Sequence, residues 1–513
     1  MRVAFRTDSS TVIGSGHVMR CLTLAQELKA AGAKIHFVCR EHPGNLSDLI
    51  GAHPGIGVHH LPAAPQSTMT STHNKSCGIA HADWLGADWQ DDAAQTAAAI
   101  SSQPEPVDWL VVDHYAIDAR WESALRPLAR RIMAIDDLAD RSHDCDVLLD
   151  QNLHQSLDER YDTLIPSRCL RLLGPRYALL RPQFSAARAT QRTRDGSVRK
   201  VLVFFGGIDA SNETSKALHA IRAIGSSGIA VDIILGPTCP HIGSIRALSA
   251  NMSGVCIRIN PGNVAELMGN ADLAIGAVGA TTWERCAVGL PSILISHAMN
   301  QESPARAMSD NGLAIYLGNS ETVTIEMIAA AIAELMLDPA RMRALSDACM
   351  ELTDGNGACR VMRTFDTVPI TLRPARTGDC ESIYQWRNAE QTLRHSRNSG
   401  AILPDAHAKW FHSTLNNPDR ILLVGERDGL PIGVLRYDCQ AADCTVSVYL
   451  VPGQYGRGYG SRLLQSGHEW LRNHRQDVSA VRAEILAANR ASIAAFLQAG
   501  YRRQADVYIK QLG

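Results

Sequence analysis

Short apolar runs that end in polar residues recur along the first 365 residues of this 513-residue chain. Residues 107–113, 131–137 and 147–152 follow this pattern, and residues 201–209 begin a second series of the same kind. Runs of this length are typical of buried parallel strands, which place ligand-binding residues at their carboxyl ends. Because helix-like stretches separate the runs, the pattern predicts an α/β fold with two halves of similar size.

The first of these units carries the most chemistry. An apolar start at residues 3–5 is followed by a loop with Gly14 and Gly16, and a helical run begins at His17. A strand, a glycine loop and a helix N-terminus together form a favourable place for an anion. Since an imidazole stands where the helix begins, we expect diphosphate binding and proton transfer side by side.

Composition excludes several classes of protein. The formal charge of -2 lacks the basic footprint of a nucleic-acid binder. No apolar run approaches the roughly 20 residues of a membrane span, and charged residues interrupt any signal peptide at the start. The 13 cysteines are scattered without zinc-ligand spacing, which predicts free thiols in a reducing cytoplasm and no metal site.

At about 150 residues per domain, the chain has room for about three domains. A polar, basic segment at residues 185–200 has the composition of a linker, and a second break falls near residues 353–369. We therefore predict domains at 1–185, 198–365 and 369–513. The oligomeric state stays open at this point.

A second possible anion site lies at residues 270–291, which have the pattern of a strand, a loop of small residues and a helix start. Gly279 and Ala280 allow the backbone to approach a phosphate, and the amides of Thr281 and Thr282 begin the helix. Glu284 follows within the first turn. Its carboxylate either bonds the two hydroxyls of a ribose or stabilises the helix start as a capping-type residue.

These halves resemble the GT-B architecture, in which a nucleotide sugar lies between two Rossmann-like domains. Residues 271–295 and the following 297–302 resemble the UDP-binding half of the MurG-like glycosyltransferases. The motifs Arg6-x-Asp8-Ser9-Ser10, Gly14-x-Gly16-His17, Asp113-His114-Tyr115 and Gly206-Gly207-x-Asp209 are similar to those of the UDP-2,4-diacetamido-2,4,6-trideoxy-β-L-altropyranose hydrolases of pseudaminic acid biosynthesis. This resemblance covers roughly residues 1–365.

The resemblance implies hydrolysis of the sugar–UDP bond with inversion at the anomeric carbon and without metal, so that EDTA should leave it intact. His17 is then the catalytic base that activates water, or alternatively a residue that only contacts the diphosphate. Asp8 and Asp113 are candidates for orienting His17 or the sugar, although Asp113 also fits a solvated strand end. The expected UDP- and sugar-binding residues are Arg6, Gly14, Gly16, Gly207, Gly279, Thr281, Thr282, Glu284, Asn300 and Gln301.

Two tryptophans, Trp84 and Trp89, flank Gly86 in a loop of the first half. Either they stack on a sugar face or they belong to a packed loop. The sequence does not decide between these interpretations.

The third unit has a signature of its own. A strand at residues 446–452 leads into a loop with alternating glycines, whose bare amides can surround a pyrophosphate. Together with residues 488–501, and with Asp379, residues 386–388 and the His407-x-x-Trp410-Phe411 motif near its start, this unit resembles the GNAT acetyltransferases that acetylate amino sugars or protein N-termini. The resemblance implies acetyl-CoA as co-substrate and an α+β fold. The expected acetyl-CoA-binding residues are Leu450, Val451, Gly456, Gly458, Gly460, Ser461 and Asn489.

Two positions depart from the GNAT pattern. Tyr455 stands where the family usually has Gln or Arg, and Phe496 stands where a tyrosine often protonates the CoA thiolate. Tyr501, Tyr449 or water are the alternative acids.

The two resemblances name consecutive steps on one UDP-amino sugar, acetylation of its 4-amino group and removal of UDP. We therefore predict a bifunctional cytoplasmic enzyme with no nucleic-acid or membrane partner. Three alternatives remain: a GT-B glycosyltransferase, a hydrolysing epimerase of the legionaminic or neuraminic type, and a sugar-nucleotide sensor without turnover. Analysis of the products distinguishes the first two, and a turnover assay tests the third.

Overall fold

A computed structural model describes residues 1–63, 79–101, 107–190, 192–225, 228–365, 370–396, 400–427, 429–440, 442–456, 458–486, 489–504 and 507–511. The chain divides into two compact units, Met1–Phe365 and Asp366–Gly513, called here the N-terminal and C-terminal units. Among the described helices, none is long and apolar enough to cross a membrane.

The N-terminal unit begins with a parallel sheet in the order β3-β2-β1-β4-β5-β6-β7. Its strands are β1 (Arg2–Thr7), β2 (Lys34–Arg40), β3 (Ile56–Leu61), β4 (Val107–Asp113), β5 (Ala129–Ile135), β6 (Val147–Asp150) and β7 (Leu170–Leu173). The helices of this first half are α1 (Gly16–Ala30), α2 (Ser47–Gly51), α3 (Trp89–Ser101), α4 (Ala119–Leu125) and α5 (Pro182–Thr190).

The second half repeats the arrangement with the order β10-β9-β8-β11-β12-β13, again all parallel. Its strands are β8 (Lys200–Phe204), β9 (Ala230–Leu235), β10 (Val255–Ile259), β11 (Leu273–Ala277), β12 (Ser292–Ser296) and β13 (Ile315–Asn319). Its helices are α6 (Glu213–Ala223), α7 (Ile242–Ser249), α8 (Val264–Asn270), α9 (Ala280–Ala287), α10 (Met299–Asp310), α11 (Ile325–Leu337), α12 (Pro339–Leu352) and α13 (Gly357–Met362).

Strand order fixes where a ligand can bind. In both sheets the order reverses next to the first strand of the half, between β1 and β4 and between β8 and β11. The loops that leave these strand pairs diverge to opposite faces of the sheet and open a crevice at its carboxyl edge. His17 and Asp113 follow β1 and β4, while Gly207 and Gly279 follow β8 and β11.

The last helix of the N-terminal unit, α13, returns to the first half. Ala358, Val361 and Phe365 join the apolar core beneath the first sheet, and the indole N–H of Trp109 donates to the Phe365 carbonyl at 3.1 Å. The sequence-based boundary of 198–365 groups this segment with the second half. In the structure its apolar residues pack in the core of the first half, and Trp109, which contacts Phe365, lies 256 positions earlier in the chain, which local sequence does not reveal.

The segment predicted as a linker, residues 185–200, is held in place by its arginines. Helix α5 covers its start, and Arg188 donates to the Thr353 and Met350 carbonyls at 2.9 and 2.8 Å. Arg194 is 8% exposed and donates to the Val288 carbonyl at 2.7 Å. Burial lowers the pKa of Arg194 to about 10. These guanidinium groups satisfy carbonyls that helix ends leave unpaired, so the described part of the segment is anchored.

The C-terminal unit is built on one mixed sheet in the order β14-β15-β16-β17-β18-β20-β19. Its strands are β14 (Thr371–Pro374), β15 (Arg420–Arg427), β16 (Leu430–Gln440), β17 (Asp443–Leu450), β18 (Ala480–Glu484), β19 (Arg502–Gln504) and β20 (Val507–Gln511). Its helices are α14 (Cys380–Arg387), α15 (Glu390–Arg394), α16 (Pro404–Leu415), α17 (Tyr459–His474) and α18 (Arg490–Gln498).

The prediction of free thiols is wrong for one pair of cysteines. Cys439 and Cys444 face each other across the β16–β17 hairpin with their Cα atoms 4.0 Å apart, and a disulfide joins them. Antiparallel pairing brings the two side chains together, which is a consequence of register. Cys77 lies outside the described residues, and the other described cysteines are free and mostly buried.

Candidate active site

The loop after β1 prepares the start of α1. Gly14 adopts a left-handed φ of 81°, and its N–H donates to the Ser10 carbonyl at 2.9 Å, so the loop turns tightly. Ser15 precedes α1 and makes no side-chain capping bond. The N–H groups of the first helical turn therefore remain available, as the sequence predicts for an anion site.

His17 lies in this first turn and contacts the end of β4. Its Nδ1 is 2.6 Å from Asp113 Oδ1, and the two residues are 7% and 0% exposed. An ionised carboxylate accepts, so Nδ1 carries the proton and donates to Asp113. This tautomer leaves a lone pair on Nε2, where a general base needs it. Of the two alternatives for Asp113, the structure shows a buried partner of His17 and not a solvated strand end.

Arg20 keeps Asp113 ionised. Its Nε and Nη2 donate to the two carboxylate oxygens of Asp113 at 2.7 Å each, a bidentate pair one helical turn after His17. Burial alone would raise the pKa of Asp113, but the charges of Arg20 and His17 and their hydrogen bonds hold it well below its usual range. The carboxylate is therefore a permanent acceptor for the imidazole.

An aromatic wall surrounds His17. The Tyr115 ring meets it edge-on with centroids 4.5 Å apart, and Trp84 stacks on Tyr115 at 5.7 Å. His81 completes the wall at 4.3 Å from Trp84, and no motif in the sequence pointed to it. Trp89 lies elsewhere, under the guanidinium of Arg120. The two predicted tryptophans therefore separate, and Trp84 alone lies beside the imidazole.

Arg6 and Asp8 lie in different surroundings from those that the sequence predicts for the site. Arg6 is fully buried and donates to Asp8 at 2.6 Å and to Asp92 at 2.7 Å, so none of its surface is open to a ligand. Asp8 is also fully buried and accepts the N–H of Arg40 at 2.7 Å. Asp113, and not Asp8, is the carboxylate that contacts His17. Arg6, the predicted UDP or sugar ligand, and Asp8, the candidate for orienting His17 or the sugar, instead form a buried ion pair that Asp92 shares.

At the matching strand ends, the second half offers backbone amides to a ligand, whereas the first half carries charged side chains. Gly279 and Ala280 are exposed at the start of α9, as a phosphate site requires. The close approach of backbone occurs earlier, at Gly276, where an added Cβ would lie 2.3 Å from the Phe204 carbonyl oxygen. Thr282 differs from its prediction, because its N–H already donates to the Gly279 carbonyl at 2.9 Å. The amides of Ala280 and Thr281 are therefore the ones that remain for a ligand.

Glu284 points away from the helix start. Its carboxylate accepts from Arg181 Nη2 at 3.2 Å, and its side chain is 14% exposed. Burial raises the pKa of Glu284. The capping alternative does not match this geometry, because the third helical position is Thr282, whose hydroxyl accepts the Gly279 N–H. Binding of ribose hydroxyls stays a prediction.

The other predicted UDP contacts lie on neighbouring loops. An added Cβ at Gly207 would meet no atom within 4 Å, and the next acidic residue, Asp209, caps α6 by accepting the Glu213 and Thr214 N–H groups at 2.9 and 3.0 Å. Gln301 turns back and accepts the His297 N–H at 2.9 Å. The side chain of Asn300 lies outside what the structure describes.

No group of three or more His, Cys, Asp or Glu side chains with metal-binding geometry occurs within the described ranges of the chain. The histidines and carboxylates at the edge of the first sheet pair with each other or with arginines instead.

The C-terminal unit contains an opening in its sheet. Strand β17 pairs with β18 in parallel only through residues 443–445, so Leu450 and the following Val451 lie beyond the described pairing. Gly456 and Gly458 adopt left-handed φ values of 74° and 75° just before α17, and Ser461 donates to the Gly458 carbonyl at 3.1 Å. Gly460 faces Ala495 of α18, with 3.5 Å between an added Cβ and that side chain. A loop with two left-handed glycines therefore precedes a helix beside a separated strand pair.

Two predicted roles in this unit change in the structure. Asn489 caps α18, because its Oδ1 accepts the Ser492 N–H at 3.0 Å. Tyr501 is 2% exposed and its hydroxyl bonds His468 at 2.9 Å, which removes it from the opening. Tyr449 pairs with Val434 of β16, lies beyond the described pairing of β17 with β18, and is half-buried. Tyr455 bonds the Thr392 hydroxyl at 3.3 Å.

Comparison with known proteins agrees with this geometry. Residues 370–502 match the model of the acetyltransferase (GNAT) domain. The C-terminal unit is a GNAT domain. Residues 262–356 match the glycosyltransferase family 28 C-terminal domain, the part of the chain that carries α9.

Two relatives cover large parts of the chain. UDP-2,4-diacetamido-2,4,6-trideoxy-beta-L-altropyranose hydrolase of Campylobacter jejuni is 24% identical over 315 residues, which are 61% of this chain and 97% of that protein. An uncharacterized protein of Methanocaldococcus jannaschii is 21% identical over 98% of this chain and 97% of its own length. The chain is thus homologous to the UDP-sugar hydrolase.

The fold has a solved counterpart. The crystal structure of the glycotransferase of kitacinnamycin superposes with a TM-score of 0.50 at 18% identity and covers 71% of this chain and 98% of that one. The predicted architecture is therefore confirmed: two Rossmann-like halves of the GT-B type are followed by a GNAT-fold α+β domain.

Proposed function

We propose that the chain is a bifunctional enzyme of nonulosonic (pseudaminic) acid biosynthesis. The N-terminal unit would hydrolyse UDP from UDP-2,4-diacetamido-2,4,6-trideoxy-β-L-altropyranose with inversion, and the GNAT domain would first acetylate the 4-amino group using acetyl-CoA. One observation supports the hydrolase most strongly: Asp113 Oδ1 lies 2.6 Å from His17 Nδ1, which orients the ring at the start of α1 and leaves Nε2 as the nitrogen that can act as the base. Homology to the UDP-sugar hydrolase supports the substrate class.

In the proposed hydrolysis, water attacks the anomeric carbon opposite the nucleotide and gives a proton to His17 Nε2. The bond from that carbon to the diphosphate oxygen breaks, and its electron pair leaves with UDP. Asp113 stabilises the imidazolium that forms, while the amides of Ala280 and Thr281 take up the growing charge on the diphosphate. Attack from the opposite face inverts the anomeric carbon.

In the proposed acetylation, the 4-amino nitrogen attacks the thioester carbonyl, and CoA leaves as a thiolate. The amine gives one proton to a solvent water, and the thiolate takes one from an acid at the sheet opening, which then regains its proton from solvent. We assign that acid to Tyr449, because it lies on the part of β17 beyond the pairing with β18, whereas the Tyr501 hydroxyl bonds His468. Both reactions are placed in the cytoplasm as a prediction.

A coupled assay with the full chain tests this function. With acetyl-CoA and UDP-4-amino-4,6-dideoxy-N-acetyl-β-L-altrosamine, the wild-type chain should release CoA and UDP. His17→Ala should stop UDP release and leave CoA release unchanged. The UDP-diacetamido sugar, given directly, should yield UDP without acetyl-CoA. Loss of both products in His17→Ala would contradict two separate sites.

A glycosyltransferase is the second candidate, and one observation favours it. A groove of about 660 Å³ lies between the loop after β6 and α10 and is lined by charged side chains that include Glu159, Arg160, Glu302 and Arg306. The match of residues 262–356 to a glycosyltransferase domain fits such a role. Identification of the carbohydrate product decides between the two, because hydrolysis gives the free sugar and transfer gives a glycoside.

A further inference from the structure

A continuous line of side-chain hydrogen bonds leads from the second half to His17. Trp283 of α9 is 2% exposed, and its indole N–H donates to Asn152 Oδ1 at 3.1 Å. The amide nitrogen of Asn152 donates to Asp137 Oδ2 at 3.0 Å. Asn152 therefore joins the first half of the N-terminal unit to the nucleotide-side helix of the second half.

From Asp137 the line continues to the imidazole. Arg20 Nη1 donates to Asp137 Oδ2 at 3.1 Å, and the other nitrogens of the same guanidinium hold Asp113. Tyr115, which packs against His17, donates its hydroxyl to Asp137 Oδ1 at 2.5 Å. Asp137 is thus bonded to Arg20, which holds Asp113, and to Tyr115, which forms part of the aromatic wall.

The polarity of each link allows one arrangement only. The indole has a donor and no acceptor, and Asp137 is an acceptor that Arg20 and Tyr115 already address. Asn152 must therefore turn its oxygen to Trp283 and its nitrogen to Asp137, because a flipped amide would oppose donor to donor and acceptor to acceptor. Buried networks that satisfy every member in one arrangement hold their geometry rigidly.

The other end of the line is where the nucleotide is expected. Trp283 lies between Thr281, whose amide is available at the start of α9, and Glu284, the predicted ribose contact. A displacement of α9 on binding a diphosphate moves the indole and with it the Asn152 amide. The line then transmits that displacement to Arg20 and Asp113.

We propose that Asn152 is a positioning residue that couples occupancy of the nucleotide helix α9 to the alignment of His17. This inference rests on the proposed hydrolase and deepens it, because it names how the half that binds UDP prepares the half that activates water. Asn152 itself touches neither the reacting carbon nor the diphosphate in this account.

Two variants interrupt the line at neighbouring points. Asn152→Ala removes both amide bonds, and Trp283→Phe removes the indole N–H while keeping an aromatic ring in the core. Since misalignment by about 1 Å costs about 100-fold in rate, each variant should lower kcat for UDP release by about 10- to 100-fold while KM changes far less. The double variant should be no slower than the slower single variant.

The matched control is Gln155→Ala. Gln155 is another amide that crosses to the second half, 3.4 Å from Asp310 Oδ2, but it is exposed and not part of the line. Its kcat should equal that of the wild-type chain. The circular-dichroism spectrum and the thermal unfolding of the same samples report whether the chain is intact.

A measurement that needs no turnover separates this inference from the proposed function. The proton on His17 Nδ1, bonded to Asp113, gives a downfield NMR resonance that should shift or broaden in Asn152→Ala and Trp283→Phe and stay unchanged in Gln155→Ala. If the wild-type chain releases no UDP, the proposed function fails while this resonance still tests the coupling. An unchanged resonance, or wild-type kcat, in Asn152→Ala would overturn it.

Discussion

The carboxyl edges of the two parallel sheets share a strand order and differ in chemistry. At the edge of the first sheet, His17, Arg20, Asp113 and Asp137 bond one another in a buried network. At the edge of the second sheet, the start of α9 exposes Gly279 and Ala280 and leaves backbone amides free. The same topology thus offers one crevice with a preorganised base and another with room for an anion.

This difference assigns separate kinetic effects to the two edges. Damage to the network of the first sheet should lower kcat, since those groups act on the transition state. Loss of a contact to the part of the nucleotide that does not react, such as the predicted ribose contact of Glu284 on α9, should raise KM, because that contact is made equally in every state. The predictions below test this division, beginning with the largest effect.

Asp113→Asn should have the largest effect on the reaction. An amide in place of the carboxylate allows the wrong tautomer of His17 and removes the charge that stabilises its imidazolium, so kcat for UDP release should fall by about 10³- to 10⁴-fold. UDP affinity, measured by calorimetry, should change little and controls for folding. A fall of less than tenfold would remove Asp113 from the catalytic arrangement.

Asp150→Asn should increase the free energy of unfolding, because the buried carboxyl of Asp150 destabilises the edge of the first sheet. Burial raises the pKa of Asp150 to about 7, from a value of 3.8 for the free group. The folded chain therefore keeps this proton up to about pH 7, while the unfolded chain loses it near pH 4. The free energy of unfolding should fall as pH rises through that window, and the Asn variant should gain about 4 kcal/mol at pH 8.

Urea unfolding at pH 5.5 and pH 8 measures this effect. The advantage of Asp150→Asn over the wild-type chain should be larger at pH 8 than at pH 5.5. An equal advantage at both values would show that Asp150 titrates normally.

Glu284→Ala should act on binding from the second edge. Loss of its predicted hydrogen bonds to the ribose should raise KM for the UDP sugar by about 10- to 30-fold, with kcat nearly unchanged. Glu334→Ala removes an exposed carboxylate of the same half, one whose partner Arg341 is 3.9 Å away, and should leave KM unchanged. A loss of kcat in Glu284→Ala would contradict the division between the edges.

Gly279→Ala should have the smallest effect. An added Cβ at Gly279 meets no atom within 4 Å, so the fold should accept the methyl group, which would then crowd only the ligand. UDP affinity should fall by about three- to tenfold. Gly269→Ala, where an added Cβ is equally unobstructed on α8, should not change it. Equal affinities of both variants would move the diphosphate away from α9.

The sequence predicts well which residues lie at the carboxyl edges of the parallel sheets, and the reason is physical. Asp113 and His17 follow apolar runs that are buried on both faces, and such runs end where the chain returns to polar surroundings. Strand and helix periodicity therefore place these residues near a crevice before any contact is known. The sequence does not predict the tautomer of His17, because the tautomer depends on the contact with Asp113, a residue 96 positions away in the chain.

The errors share one cause, which is pairing over long distances in the chain. Arg6 has the chemistry of a phosphate ligand, but Asp92 neutralises it from 86 positions away. Arg194 lies in a segment whose composition predicts a linker, yet its guanidinium donates to the carbonyls of Val288 and Met268, which come much later in the chain. Cys439 and Cys444 become a bonded pair only through hairpin register. No local pattern contains this information.

A crystal structure of the His17→Asn variant with its intact UDP sugar would show directly where chemistry and binding take place. We expect the diphosphate to lie within hydrogen-bond distance of the Ala280 and Thr281 amides. We also expect the anomeric carbon to face residue 17, with space for one water between them. A diphosphate bound at the first turn of α1, or an anomeric carbon remote from residue 17, would contradict the assignment of chemistry to one edge and binding to the other.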